Sequence, residues 1–298
     1  IFSFFSGFNE FLFAEILLGI GGSLISGADS AILYDTLLEI KEEDEYTKIE
    51  GRTYAIGNFS EGIAGVLGGF LAMTSINMPV YIQTIVMFLS IPIAMTLVEP
   101  KSSYKLAKSF SSIITVVKDT FIYQRKLRWY IVYSSSMGIA TLSIAWFVQP
   151  FLMEIDTPII YYGIIWAFLN FTAGITSYYS HFFNNHNLLI YISLIMITSL
   201  ILLGFNISYF GLIFIILIYL LRGVITPKLR NLINIISTSE RRATVLSLRS
   251  FVIRISFAVI APVLGYISDS SDLSLVFYVL ALIVGFSSLL AAFKLKNN

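Results

Sequence analysis

The sequence predicts an all-α bundle that crosses a membrane many times, and three observations predict it. Charged residues make up 12% of the 298 and hydrophobic residues 57%, with a mean hydropathy of +0.83. Soluble domains carry roughly 25% charged residues. Nine apolar stretches are long enough to cross a hydrocarbon core, which takes about 20 helical residues. Lys and Arg collect in alternate links between those stretches. Backbone groups in lipid must be satisfied inside their own segment, so each stretch is read as a helix.

Ile1–Phe8 is apolar but too short to span and lacks the small-residue cleavage site of a signal peptide, so it reads as the tail of a helix that begins upstream. The spans then follow at 9–38, 52–74, 78–97, 129–153, 158–180, 187–204, 208–228, 243–267 and 273–293. Short polar links separate them, except for 98–128. There Leu106, Phe110, Ile113, Val117 and Phe121 recur at helical spacing with Lys105, Lys108, Lys118 and Arg125 between them. That pattern predicts an amphipathic helix on the membrane surface. The basic links are 39–51, 98–128, 229–242 and the tail with Lys294 and Lys296; the opposite set carries only the acids Glu154, Asp156, Asp269 and Asp272. Basic links stay on the cytoplasmic side, so the C-terminus is expected in the cytoplasm, with the protein in the cytoplasmic (inner) membrane.

The chain repeats itself. Gly7-Phe8-Asn9 returns as Gly204-Phe205-Asn206, an offset of 197 (204 − 7), and the same offset carries Thr47 onto Thr244 and Arg52 onto Arg249. Spans 9–38, 52–74 and 78–97 fall on 208–228, 243–267 and 273–293 in the same direction. This is a parallel repeat about an axis along the membrane normal. Spans 129–153 and 158–180 have no upstream counterpart, so about 70 residues, roughly two and a half helices, are expected before residue 1. The organisation read is 1–97 as the remainder of an N-terminal half, 98–128 as a cytoplasmic link and 129–298 as a C-terminal half.

Charges at mid-membrane depth are costly and mark functional positions by default. Glu15, Glu61, Arg222 and Arg254 sit there. Glu15, Gly22, Ser26 and Asp29 lie within about 60° of one another on a helical wheel, a polar stripe of about 21 Å facing either an aqueous cavity or a neighbouring helix. Glu61 is set among Gly57, Gly62, Gly65, Gly68 and Gly69, small residues that allow close helix contact. A buried carboxyl that titrates near neutral pH suits proton exchange; a static pair with an Arg is the other reading. Tyr219, Arg222 and Thr226 form a second stripe, which suits an anionic or zwitterionic ligand or a partner carboxylate. Arg254 reads equally as one half of a structural ion pair. Tyr133, Ser136, Gln149, Trp166 and Asn170 are further candidates for a cavity wall. His181 and His186 lack nearby acids, so no metal is expected. No Gly-rich phosphate loop or catalytic signature occurs, and no cofactor or enzyme activity is expected. The net charge of +1, without a basic stripe interleaved with aromatics, gives no sign of nucleic acid. Cys is absent, excluding disulfides and thiol chemistry.

Two parallel six-helix halves joined by a longer cytoplasmic link resemble the major facilitator superfamily, along the whole chain. Ala14-Glu15-Ile16-Leu17-Leu18-Gly19-Ile20-Gly21-Gly22 is similar to the family's fourth helix, with Glu15 where the family often has Arg. Ser26-Gly27-Ala28-Asp29-Ser30-Ala31-Ile32-Leu33-Tyr34-Asp35 is similar to the cytoplasmic half of that helix in a drug-efflux-like branch. Ala64-Gly65-Val66-Leu67-Gly68-Gly69 resembles the antiporters' fifth-helix Gly-Pro-x-x-Gly-Gly, with Ala64-Gly65 in place of Gly-Pro. The resemblance implies a monomeric secondary transporter working by alternating access, with protons and a small molecule as partners in the lipid bilayer. It points to proton-coupled efflux of drugs or amphipathic metabolites, with Glu61 and Glu15 exchanging protons. Nutrient uptake or facilitated passage is the alternative, and a non-transporting receptor or scaffold the alternative of another class. The resemblance also implies a gate role for Asp35, paired with an Arg of a loop upstream of residue 1, and leaves Arg52 and Arg254 as ion-pair candidates.

Overall fold

The computed structural model describes residues 7–25, 27–75, 77–98, 100, 110–185 and 187–297, without the side chains of 15, 23, 24 and 110–113. Among the described residues the chain forms eleven α-helices and no strand. They are α1 (Phe8–Ile25), α2 (Ala28–Glu39), α3 (Tyr46–Thr74), α4 (Met78–Met95), α5 (Phe110–Lys118), α6 (Arg125–Glu154), α7 (Tyr162–Tyr178), α8 (Leu188–Phe205), α9 (Gly211–Ile236), α10 (Ser239–Ser270) and α11 (Leu273–Lys296). Eight segments among the described residues are long and apolar enough to cross a membrane: 43–74, 78–95, 125–154, 159–178, 188–205, 211–236, 239–270 and 273–296. They coincide with eight of the nine spans read from hydropathy.

The remaining span, 9–38, is broken. It is built from α1 and α2, which meet at residues 26–27. A Cβ on Gly27 would lie 2.5 Å from the carbonyl oxygen of Ala243 and 2.8 Å from the amide nitrogen of Ser247. The backbones of α2 and α10 therefore touch here, and only glycine fits. The continuous stripe expected from Glu15 to Asp29 is interrupted at this point; Ser26 and the side chain of Glu15 lie outside the described residues.

Two ends can be told apart by their charges. The links 39–51 and 229–242 and the tail lie at one end, called the basic end; Glu154, Asp156, Asp269 and Asp272 lie at the other, the acidic end. The buried core is built mainly by α6, α8, α9 and α11, from Leu127, Ile131, Met196, Leu200, Ile218 and Leu280 among others. In contrast α4 has no buried residue. Between residues 110 and 128 the expected helix is present and packs on its neighbours. Helix α5 continues through a π-helical turn, Asp119–Tyr123, into α6. Its Val116, Val117 and Phe121 pack on the core, and Asp119 pairs with Arg241 of α10 at 2.8 Å. Of the expected apolar face, Val117 and Phe121 thus lie against protein. Leu106 and the side chains of Phe110 and Ile113 lie outside the description.

Candidate functional site

Four helices surround a cavity of about 590 Å³ in the middle of the bundle. Helix α6 supplies Ser134, Met137, Gly138, Thr141 and Trp146; α9 supplies Arg222, Thr226 and Arg230; α10 supplies Arg249, Arg254 and Phe257; α3 supplies Tyr54. Ser134 and Trp146 stand nine and 21 residues from the start of α6, a rise of about 14 and 32 Å. The cavity therefore reaches from the basic-end third of the helix to beyond its middle. A second space of about 430 Å³ continues towards the acidic end, lined by Gln149, Trp166 and Gly65 and sharing Trp146 with the first. Small residues on α6 bring the walls together: a Cβ on Gly138 would lie 2.4 Å from the side chain of Ile253 on α10.

Among the described residues the main cavity is lined by four arginines and no carboxylate. Arg230 has counter-charges just outside the wall, Glu50 at 2.5 Å and Asp29 at 3.5 Å. Arg222 donates from Nε to the Tyr54 hydroxyl at 2.9 Å and lies 5.5 Å from the Tyr219 ring centroid. Among the described residues no carboxylate is within 4.0 Å of it, although Glu61 is within electrostatic range. Arg249 is buried, with no hydrogen-bond partner for its Nε among the described residues. Arg254 points towards α1, where a Cβ on Gly22 would lie 3.9 Å from its Nη2.

At the basic end, polar contacts tie α2 and α3 to α9 and α10. Asp35 forms a salt bridge with Arg242. Arg242 also donates to Ser239 Oγ at 2.9 Å and to the carbonyl of Ser237 at 3.0 Å, and its guanidinium lies 4.3 Å from the Tyr34 ring centroid. Glu50 accepts from the Tyr46 hydroxyl at 3.2 Å, and that hydroxyl is 2.5 Å from Ser30 Oγ. Asn234 donates to Ser30 at 3.3 Å and Asn231 to Thr47 at 2.7 Å. Ser177 of α7 donates to the Gly51 carbonyl at 2.9 Å. Most of these side chains are buried, Asp35, Asn231 and Ser239 being half-buried, so the contacts act in a low-dielectric environment where they are strong and where an unpaired member is costly.

The sequence-derived candidates separate into three groups. Arg222, Thr226 and Arg254 line the main cavity, and Gln149 and Trp166 line the second space. Tyr219 packs edge-on against Trp166, ring centroids 6.4 Å apart. Glu61 is exposed rather than buried as expected, and it lines neither cavity; it lies on α3 seven residues from Tyr54 and four from Gly65, within about 40° of both on the helical wheel. Asp29 lies at the rim on Arg230.

Others belong to packing interfaces. The Tyr133 hydroxyl donates to the Leu189 carbonyl at 2.7 Å, Ser136 bonds to Ser287 at 2.8 Å, and Asn170 donates to the carbonyl of Trp166 at 3.0 Å. These three line neither cavity. They are polar groups of α6 and α7 whose hydrogen bonds are made within the bundle. Arg52 is exposed and stacks over Tyr178 at 5.3 Å. Asp35 has a partner within this chain, Arg242. Sequence reasoning overlooked Glu50, Arg230 and Arg242, and gave Arg249 no role beyond the repeat. Arg230 falls four residues after Thr226 and eight after Arg222, so the stripe on α9 already pointed to it.

No family model and no curated protein matches the chain. Its fold does match that of a solved protein, the crystal structure of a Major Facilitator Superfamily (MFS) transporter, FucP, in the outward conformation. The TM-score is 0.63 with 17% sequence identity, over 93% of this chain and 82% of that one. The chain has the major facilitator fold. It is a multi-pass membrane protein. In the major facilitator fold two halves are parallel repeats about an axis along the membrane normal, and the 197-residue period agrees with the observed element ends. It carries Glu39, the end of α2, onto Ile236, the end of α9, and Thr74, the end of α3, to one residue past Ser270, the end of α10. The main cavity lies where α3 meets α6, α9 and α10.

Proposed function

We propose that this protein is a secondary transporter that moves a small molecule by alternating access, and that residues 1–97 and 129–298 are its two halves, joined by 98–128. One observation carries the reading: an arginine-lined cavity at mid-depth bounded by both halves, closed at the basic end by buried ion pairs and hydrogen bonds that cross between them. Rocking of two halves about a midplane site is how such folds expose a ligand to one side at a time. The side with the basic links is the cytoplasmic one, so the conformer described is sealed towards the cytoplasm and the C-terminus is cytoplasmic. Direction and coupling follow the sequence reading: proton-coupled export of an amphipathic organic solute across the cytoplasmic membrane, by a monomer.

Glu61 is the proton carrier in this proposal, with Glu15 as a second exchanger. The Glu61 carboxylate lies within electrostatic range of Arg222 and Tyr219. Ionised, it draws Arg222 towards α3; protonated, it releases the guanidinium to a ligand. Glu61→Gln fixes the neutral form. In reconstituted vesicles with an imposed pH gradient, this variant is expected to lose gradient-driven flux to background while still exchanging solute for solute. Retention of gradient-driven flux would remove Glu61 from the mechanism, and the absence of any solute flux by the unaltered protein would overturn the transporter reading.

A further inference from the structure

We infer that the solute is an organic anion, held by its carboxylate or phosphate head on Arg222, Arg249 and Arg254. The inference rests on the transporter reading above and deepens it. Its basis is the charge balance of the main cavity wall. Of the four arginines there, Arg230 alone has carboxylates within salt-bridge distance among the described residues. Arg222 has a phenol and an aromatic face, groups that accommodate a guanidinium without neutralising it. Arg249 is the decisive residue. It is 8% exposed, its Nε has no hydrogen-bond partner among the described residues, and Arg230, another cation, is among the charges acting on it. Glu50, also within range, is already engaged by Arg230 and Tyr46.

A buried cation without its own counter-charge is disfavoured inside a membrane protein and marks a place where a charged ligand arrives. Guanidinium groups bind planar carboxylates and phosphates through paired, charge-assisted hydrogen bonds. The rest of the wall gives the body of the ligand its character. Trp146, Met137 and Phe257 line the same space, so an apolar or aromatic group is accommodated beside the head. A volume of about 590 Å³ is within the range of small-molecule sites.

The test is equilibrium binding to the full chain in detergent, followed by tryptophan emission, because Trp146 lines the cavity. The probes are 3-phenylpropionate and phenylphosphate, with 3-phenylpropionamide as neutral control and phenethylamine as cationic control. At least one anion is expected to bind on the order of tenfold or more tighter than either control. The carboxylate and phosphate arms identify the head group. Arg249→Gln is expected to weaken anion binding by a similar factor without lowering the thermal unfolding midpoint, whereas loss of a structural ion pair would lower it; Arg249→Lys recovers part of the affinity. Arg254→Gln, on the more exposed wall, repeats the affinity test if Arg249→Gln does not fold. Equal or tighter binding of the amide or amine overturns the proposal, as does binding of neither anion, or anion affinity unchanged in the arginine variants. Vesicle flux of the amine or amide alone would discard the anion and keep the transporter; anion binding with no flux of any probe would keep the site and discard the transporter.

Discussion

Arg242→Gln is expected to open the basic end of the bundle and to lower the stability of the conformer described here by about 3–5 kcal/mol, the cost of breaking a buried ion pair by removing one partner. The Arg242 side chain is 4% exposed and that of Asp35 15%. Without the guanidinium, Asp35 has no other cation within salt-bridge distance among the described residues. Tyr34 loses its cation, and the carbonyls of Asn234 in the last turn of α9 and Ser237 just after it lose a donor. The reverse change, Asp35→Asn, is milder. Arg242 keeps Ser239, the two carbonyls and the Tyr34 ring, so the expected cost is about 1–3 kcal/mol.

Because the chain contains no cysteine, one introduced thiol reports the opening cleanly. Thr47→Cys is suitable: Thr47 of α3 is buried and accepts a hydrogen bond from Asn231 of α9. Its thiol should be protected in the parent and modified faster after Arg242→Gln. The exchanged pair, Asp35→Arg with Arg242→Asp, should recover part of both losses, and the double-mutant cycle gives the coupling between the sites. An unchanged labelling rate in Arg242→Gln would show that this pair does not hold the halves together.

Much of the fold is legible in the sequence because hydrocarbon imposes a length on every span and charge a side on every link. The repeat was legible because short strings such as Gly7-Phe8-Asn9 survive in both copies. The network at the basic end was not, for a physical reason. Several helices run past their apolar spans: α3 begins at Tyr46 where hydropathy starts a span at 52, and α9 ends at Ile236 where hydropathy ends one at 228. Glu50 and Arg230 therefore belong to helix ends that meet beyond the apolar spans, yet by hydropathy alone they read as solvated link residues. The choice between Tyr133 and its neighbours was equally out of reach. Lipid and protein interior are both apolar, so the face that α6 turns to the cavity carries no hydrophobic signature distinguishing it from the face turned to α8.

The glycines of α3 show the same limit and give a prediction of opposite signs on one helix. Spacing alone suggested that Gly57, Gly62, Gly65, Gly68 and Gly69 form a contact surface. In the structure Gly62 and Gly65 press on Phe171 and Trp166 of α7, whereas a Cβ on Gly57, Gly68 or Gly69 would meet nothing within 4 Å. The tightest glycine on α3 is Gly51, towards the basic end, where a Cβ would lie 2.4 Å from the carbonyl oxygen of Ser177. That obstacle is backbone and cannot rotate away. Gly51→Ala must move α3 off α7, lengthening the Ser177 hydrogen bond to the Gly51 carbonyl. The expected cost is about 1–3 kcal/mol, as for other overpacked contacts. Gly27→Ala meets the backbone of α10 in the same way and should behave alike. Gly57→Ala and Gly69→Ala, with open space around them, should instead be neutral or gain about 0.5–1 kcal/mol from the better helix former. Both Gly51 and Gly27 sit where the proposed halves touch, so their alanine variants should also speed labelling of Thr47→Cys, while Gly57→Ala and Gly69→Ala leave it unchanged. If all four variants shift the unfolding midpoint alike, glycine at 51 and 27 reflects general helix propensity, and close approach of the two halves is not what seals the basic end.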